Sequence, residues 1–227
     1  MFLELDLDNL KKIFFEEKKK ELSTTDKKDQ SALIANEWKK FLEASQHGMA
    51  FFLGYAKMHF KEARYNQILL SINEIGRSLQ NKSDSTFSEI PNNEIHFYKE
   101  FIEGFYLVAK TTLEERRFKQ SGDLFYILTV FCPLSFDAWL GLGMSYQFLH
   151  QPKKALEAFA KARTLEPSNC LIYLFTAEIY LQIQDLDLAK KNGKEGLKLT
   201  SKNQRKITQS FEHILKVCDK TQRRKAA

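Results

Sequence analysis

One stretch, residues 136–169 (FDAWLGLGMSYQFLHQPKKALEAFAKARTLEPSN), constrains the fold more than any other. Trp139, Leu142 and Tyr146 recur at i, i+3 and i+7 and therefore share one face of a helix. His150-Gln151-Pro152 then breaks the chain. A second stripe, Ala155, Phe159 and Ala162, reads small, large, small along a second helix. Gly143 marks the point where that helix can press close to the first, and Pro167 ends it. The stretch thus dictates a helical hairpin with a close interface, in which Trp139 is expected to be largely buried. One such hairpin cannot cover its own apolar face, so neighbours of the same kind must flank it.

The spacing of Trp139, Leu142, Gly143, Tyr146, Ala155, Phe159 and Pro167 resembles the tetratricopeptide (TPR) repeat. A forward step of one 34-residue period lands on Tyr173, Ala177, Tyr180, Ala189, Gly193 and Gly196. A backward step lands on Phe105, Val108, Ala109, Ser121, Phe125, Leu128 and Pro133, with Thr112 in place of the tyrosine. Three repeats are therefore expected, over about 102–135, 136–169 and 170–203. Residues 203–219, with Ile207, Phe211, Ile214, Leu215 and Cys218 apolar, suit the capping helix that a solenoid end requires.

The rest of the chain also reads as helical. A hydrophobic fraction of 43% suffices for a core, and no strand-like alternation recurs, so the class is all-α. Leu3, Leu7, Leu10 and Phe14 form a heptad-like stripe in residues 1–22 that suits self-association as a homodimer. Ile34, Trp38, Phe41 and Leu42 mark a helix over 31–47, which His47-Gly48 is expected to break. Another helical block covers 49–80. Residues 81–94 (NKSDSTFSEIPNNE) are the clearest linker, so the expected domains are an N-terminal helical region, 1–94, and a TPR domain, 95–227.

Several function classes fall away. The N-terminus, MFLELDLDNL, does not suit a secretory signal, and no apolar run approaches the ~18 residues of a membrane span. The three cysteines are widely spaced and form no CxxC pair, so a reducing cytoplasm is the simple expectation. Residues 201–227 carry eight basic and two acidic side chains, which equals the whole net charge of +6. This tail reads as a solvated final helix rather than an anion-binding segment, and the neutral remainder offers no basic face, so nucleic acid is not the expected partner. The five histidines are scattered, and no nucleotide-binding, hydrolase or metal-ligand motif occurs. The sequence offers no catalytic residue, metal, cofactor or small-molecule site and reads as a binding module.

The TPR resemblance implies that helix A of each repeat lines a concave groove. The positions so implied are Glu103, Tyr106, Lys110, Leu113 and Glu114 in the first repeat and Asp137, Leu140, Met144, Gln147 and Phe148 in the second. In the third they are Leu171, Leu174, Glu178, Leu181 and Gln182. Tyr106, Lys110, Leu113, Leu140, Met144, Phe148, Leu171, Leu174, Glu178 and Leu181 are the candidate peptide-binding residues. Leu140, Gly141 and Met144 replace the Lys, Asn and Arg pattern of TPR carboxylate clamps, which disfavours that subfamily. The stretch VFCPLSFDAWLGLGMSYQFLHQPKKALEAFAKA, with AEIYLQIQDLDLAKKNGKEGLKL after it, resembles the class II chaperones of bacterial type III secretion. That resemblance implies a cytoplasmic bacterial protein with a link to virulence, which keeps a hydrophobic translocator-like client soluble. The N-terminal region is longer than that family's short dimerising helix. A TPR scaffold joining subunits of a larger complex is the alternative.

Overall fold

The computed structural model describes residues 27–81, 95–201 and 203–226, and among these it contains nine helices and no strand. They are α1 (Lys27–His59), α2 (Glu62–Asn81), α3 (Ile95–Glu114), α4 (Phe118–Phe131), α5 (Phe136–Phe148), α6 (Pro152–Leu165), α7 (Cys170–Gln182), α8 (Leu186–Leu199) and α9 (Arg205–Ala226). The stripe of residues 1–22 and nearly all of the 81–94 linker lie outside the described residues. Packing divides the chain into two compact units, Met1–Phe131 and Cys132–Ala227.

In the first unit α1 packs along α4, α4 along α3, and α3 along α2. The expected break at His47-Gly48 does not occur, because α1 runs unbroken to His59. Gly48 is buried within it, and a Cβ there would stand 2.8 Å from Ile127 Cδ1 on α4. The glycine therefore permits close helix contact, and that packing outweighs its weak helix propensity of about 1 kcal/mol. The core is a chain of aromatic rings. Phe52 lies 4.5 Å from Phe105, Phe101 contacts Phe52, Phe105 and Phe131, and Phe41 meets Phe131 edge-on. Hydrogen bonds from Tyr126 to the Glu37 carboxylate (3.1 Å) and from Tyr55 to the Glu115 carboxylate (2.9 Å) fix α1 against the α3–α4 hairpin.

The second unit is built differently. The Phe159 ring of α6 fills the notch left by Gly143 on α5, so a Cβ at Gly143 would stand 2.3 Å from that ring. Phe159 is 1% exposed and has no room to swing aside. The last interface, between α8 and α9, repeats the device, since a Cβ at Gly196 of α8 would stand 2.2 Å from the Phe211 ring of α9. Helix α9 extends past the expected 219 to Ala226 and covers α8 and α7 with Phe211, Ile214 and Cys218. Ser135 and Asn169 cap α5 and α7 by accepting from the amides of Ala138 and Leu171.

Trp139 is half-buried, less than its repeat position suggests. Its indole N–H donates to the Pro133 carbonyl (2.8 Å), which keeps one ring edge near the surface. Tyr173 makes the same link one repeat later, from its hydroxyl to the Pro167 carbonyl (2.9 Å). Arg163 ties α6 to the next two helices, α7 and α8. It donates to Asn192 Oδ1 at 2.8 Å and to Thr176 Oγ1 at 3.4 Å, and lies over the Tyr173 ring.

The backbone carries the register of all three repeats. Arg116, His150 and Gln184 have φ of 63°, 56° and 65°, and no other described non-glycine residue has positive φ. They sit at one repeat position, between the two helices of each hairpin. In each turn the following amide reaches back to a carbonyl in the last helical turn: Arg117 to Thr112, Gln151 to Tyr146 and Asp185 to Tyr180. This is the left-handed helix-end motif, which satisfies otherwise orphaned carbonyls. The α3–α4, α5–α6 and α7–α8 hairpins are thus three copies of one unit, the degenerate first copy included.

Candidate functional site

Within the second unit the expected positions fall into two stripes. Leu140, Met144, Gln147 and Phe148 follow one another along α5, and Leu171, Leu174, Glu178 and Leu181 along α7. A hydrogen bond from Gln147 Nε2 to Glu178 Oε2 (3.2 Å) joins the stripes across 31 residues of sequence. The α5 and α7 sets therefore lie side by side on one face.

Burial along this face is uneven. Phe148 is 48% exposed, whereas Leu140, Met144, Leu171, Glu178 and Leu181 are half-buried. Leu140 and Met144 rest against the core of Ala155, Phe159, Ala162, Ile172 and Ile179. Leu174 is only 7% exposed and joins the core with Ala177, Phe211 and Ile214. It supports the face from below and presents little side chain to a partner. The side chains on this face are mostly apolar, and Phe148 is the most exposed of them.

Glu178 is the one ionisable side chain among these eight residues. Burial pushes its carboxyl above the usual carboxylate range, and the hydrogen bond from Gln147 offsets part of that shift. Gln147 is itself buried. Sequence spacing placed both residues on helix A but could not show their pairing, because one belongs to each repeat.

Tyr106, Lys110 and Leu113 belong to α3 in the first unit. Tyr106 and Leu113 are half-buried, Lys110 is exposed, and Tyr106 meets Phe125 edge-on with ring centroids 6.1 Å apart. Their i, i+4, i+7 spacing places them on one side of α3.

All three cysteines are free, and burial pushes the Cys132 thiol up to about 11. Among the described residues no cluster of three or more His, Cys, Asp or Glu is suited to a metal ion. No helix among them is long and apolar enough to cross a membrane.

No family profile matches the sequence, and no curated protein matches it. Solved structures do match. The type III secretion translocator chaperone SycD from Yersinia enterocolitica superposes with a TM-score of 0.55 at 16% identity, over 59% of this chain and 97% of SycD. What is shared is the fold. SycD in complex with a peptide of the translocator YopD gives 0.52 at 17% identity, over 53% of this chain and 94% of that one. PcrH, a Pseudomonas aeruginosa protein, in complex with the chaperone binding region of PopD gives 0.53 at 17% identity, over 55% and 95%. The likeness spans nearly the whole of each chaperone and a little over half of this chain. The helical, TPR-like fold of the translocator chaperones is therefore present here.

Proposed function

We propose that this protein is a non-enzymatic chaperone. It holds an extended, partly apolar segment of an aggregation-prone secreted client on the α5–α7 face, in the bacterial cytoplasm. The observation that carries this reading is the joined apolar face itself, on a chain that shares the fold of SycD and PcrH. A structure of SycD contains a peptide of the translocator YopD, and one of PcrH contains the chaperone binding region of PopD. Contiguous apolar surface on a globular chain generally marks a partner site. Phe148 is the exposed anchor, Leu140, Met144, Leu171 and Leu181 form the floor, and Leu174 supports that floor. Met and Leu make an adaptable lining for apolar side chains. A few anchors should carry most of the affinity, each worth on the order of 2 kcal/mol or more when truncated. Tyr106, Lys110 and Leu113 on α3 are proposed to contact the same client from the first unit's own face.

The test is recovery of the tagged full-length chain from its native cells, with mass spectrometry of what accompanies it. A large apolar secreted protein is expected with the wild type. It is expected with a variant neutralised at Arg223, Arg224 and Lys225, and it is expected to be lost from Leu140→Glu/Met144→Glu. Loss from the tail variant, with retention by a folded face variant, would move the binding site to the tail. A stable assembly with fixed stoichiometry, from which no client is released, would favour a scaffold instead.

A further inference from the structure

An apolar face that only had to hold greasy side chains would gain nothing from a half-buried carboxylate. Glu178 sits in the middle of the α7 stripe, four residues after Leu174 and three before Leu181. Gln147 holds the matching place on α5, three residues after Met144. Among the described residues the one polar partner of Glu178 is the Gln147 amide, and no lysine or arginine pairs with it. Removing a carboxylate from water without a countercharge is unfavourable. Two apolar residues of similar size would join α5 to α7 without that cost.

We propose that Glu178, oriented by Gln147, is a polar subsite that accepts a lysine or arginine side chain of the bound segment. The proposal rests on the reading that the α5–α7 face binds an extended polypeptide. The Gln147 amide donates to Glu178 Oε2, which leaves Oε1 free to accept from an incoming cation. The surroundings suit such a side chain along its whole length. Its methylene stem lies on Met144 and Leu181 while its charged head reaches the carboxylate, the usual way long basic side chains cover apolar surface. The raised proton affinity of the buried carboxyl accords with a site that lacks its countercharge until a partner supplies one. An acidic residue at the same step of the segment is rejected, since two carboxylates on a half-dry face repel. The subsite therefore sets the register of the segment, a task that a smooth apolar surface performs poorly.

The experiment uses the full chain and a positional-scanning array of synthetic peptides built around alternating leucine and alanine. Wild-type protein is expected to select apolar residues at some positions and, at one position between them, Lys or Arg over Gln by roughly fivefold to tenfold. Glu178→Gln, which keeps the bond to Gln147, is expected to flatten that position, and Glu178→Lys to invert it toward Asp and Glu. Neutralising Arg223, Arg224 and Lys225 is expected to leave the profile as it was. Circular dichroism checks that each variant is folded. A basic preference that survives Glu178→Gln overturns the proposal, as does apolar selection with no basic position, and in both cases the binding face itself stands. No apolar selection by the wild type, or selection that survives Leu140→Glu/Met144→Glu, overturns the face and the subsite together.

Discussion

The two units solve one packing problem with opposite materials. Each contains the same hairpin, closed by a left-handed residue at the same repeat position, Arg116 in one and His150 and Gln184 in the other. In the first unit the hairpin is covered by ring upon ring, with Phe41, Phe131, Phe101, Phe52 and Phe105 linked in a chain of contacts. In the second, a rigid ring enters a notch where a glycine has left room, Phe159 at Gly143 and Phe211 at Gly196, whereas the notch at Gly48 in the first unit receives only the flexible end of Ile127. Bulk against bulk tolerates a drifting sequence, because many large apolar residues fill space about equally well. Ring in notch tolerates almost none. The recognisable repeat motif is accordingly strong in the second unit and faded in the first.

Truncation should separate the two designs most sharply. Phe52 is fully buried, and Phe52→Ala is expected to cost about 3–5 kcal/mol. The chain has two tryptophans, Trp38 in one unit and Trp139 in the other, so fluorescence can follow each unit separately. In denaturant, Phe52→Ala should shift the Trp38 transition more than the Trp139 transition. Equal shifts would mean that the units unfold as one and that the division is only geometric.

Enlargement should act in the reverse sense. Gly196→Ala is expected to destabilise by about 1–3 kcal/mol, seen in the Trp139 transition, because the new methyl would overlap the buried Phe211 ring. Gly54 in α1 is the control. A Cβ there meets nothing within 4 Å, so Gly54→Ala should stabilise by about 1 kcal/mol through helix propensity. A neutral Gly196→Ala would show that notches are incidental to the second unit.

The smallest expected effect is one of pH. The folded-state carboxyl of Glu178 titrates above its unfolded value, so the folded protein binds that proton more readily. Stability from this group is therefore present at low pH and is lost as pH rises through the folded value. Glu178→Gln should remove that slope, leaving the variant slightly more stable than wild type near neutrality, with the difference closing toward about pH 4. Urea midpoints across this range decide it. A wild type that gains on the variant as pH rises would place Glu178 in a favourable ion pair.

The three repeats, the Gly143 notch and the capping helix were legible because each depends on local spacing within one period. The misread features depend on distant partners. Gly48 resembles a helix breaker until Ile127, 79 residues later, is found against it. Leu174 occupies a groove position but is buried, because it lies in the same core cluster as Phe211 and Ile214 of α9. Gln147 and Glu178 were both expected on helix A of their repeats, yet their bond joins two repeats that spacing treats one at a time.

Helix α9 has a consequence for the molecule in a crowded solution. A stack of like hairpins ends in a face shaped to receive another hairpin, so an unfinished end is an invitation to polymerise. Phe211 closes the last notch from the inner side of α9. The outer side carries Lys216, Lys220, Arg223 and Arg224, all exposed, against one exposed acid, Glu212, and is positive on balance. Because every copy bears the same sign there, two such ends that meet repel each other. The charge excess of the chain is concentrated where it can keep copies from joining end to end.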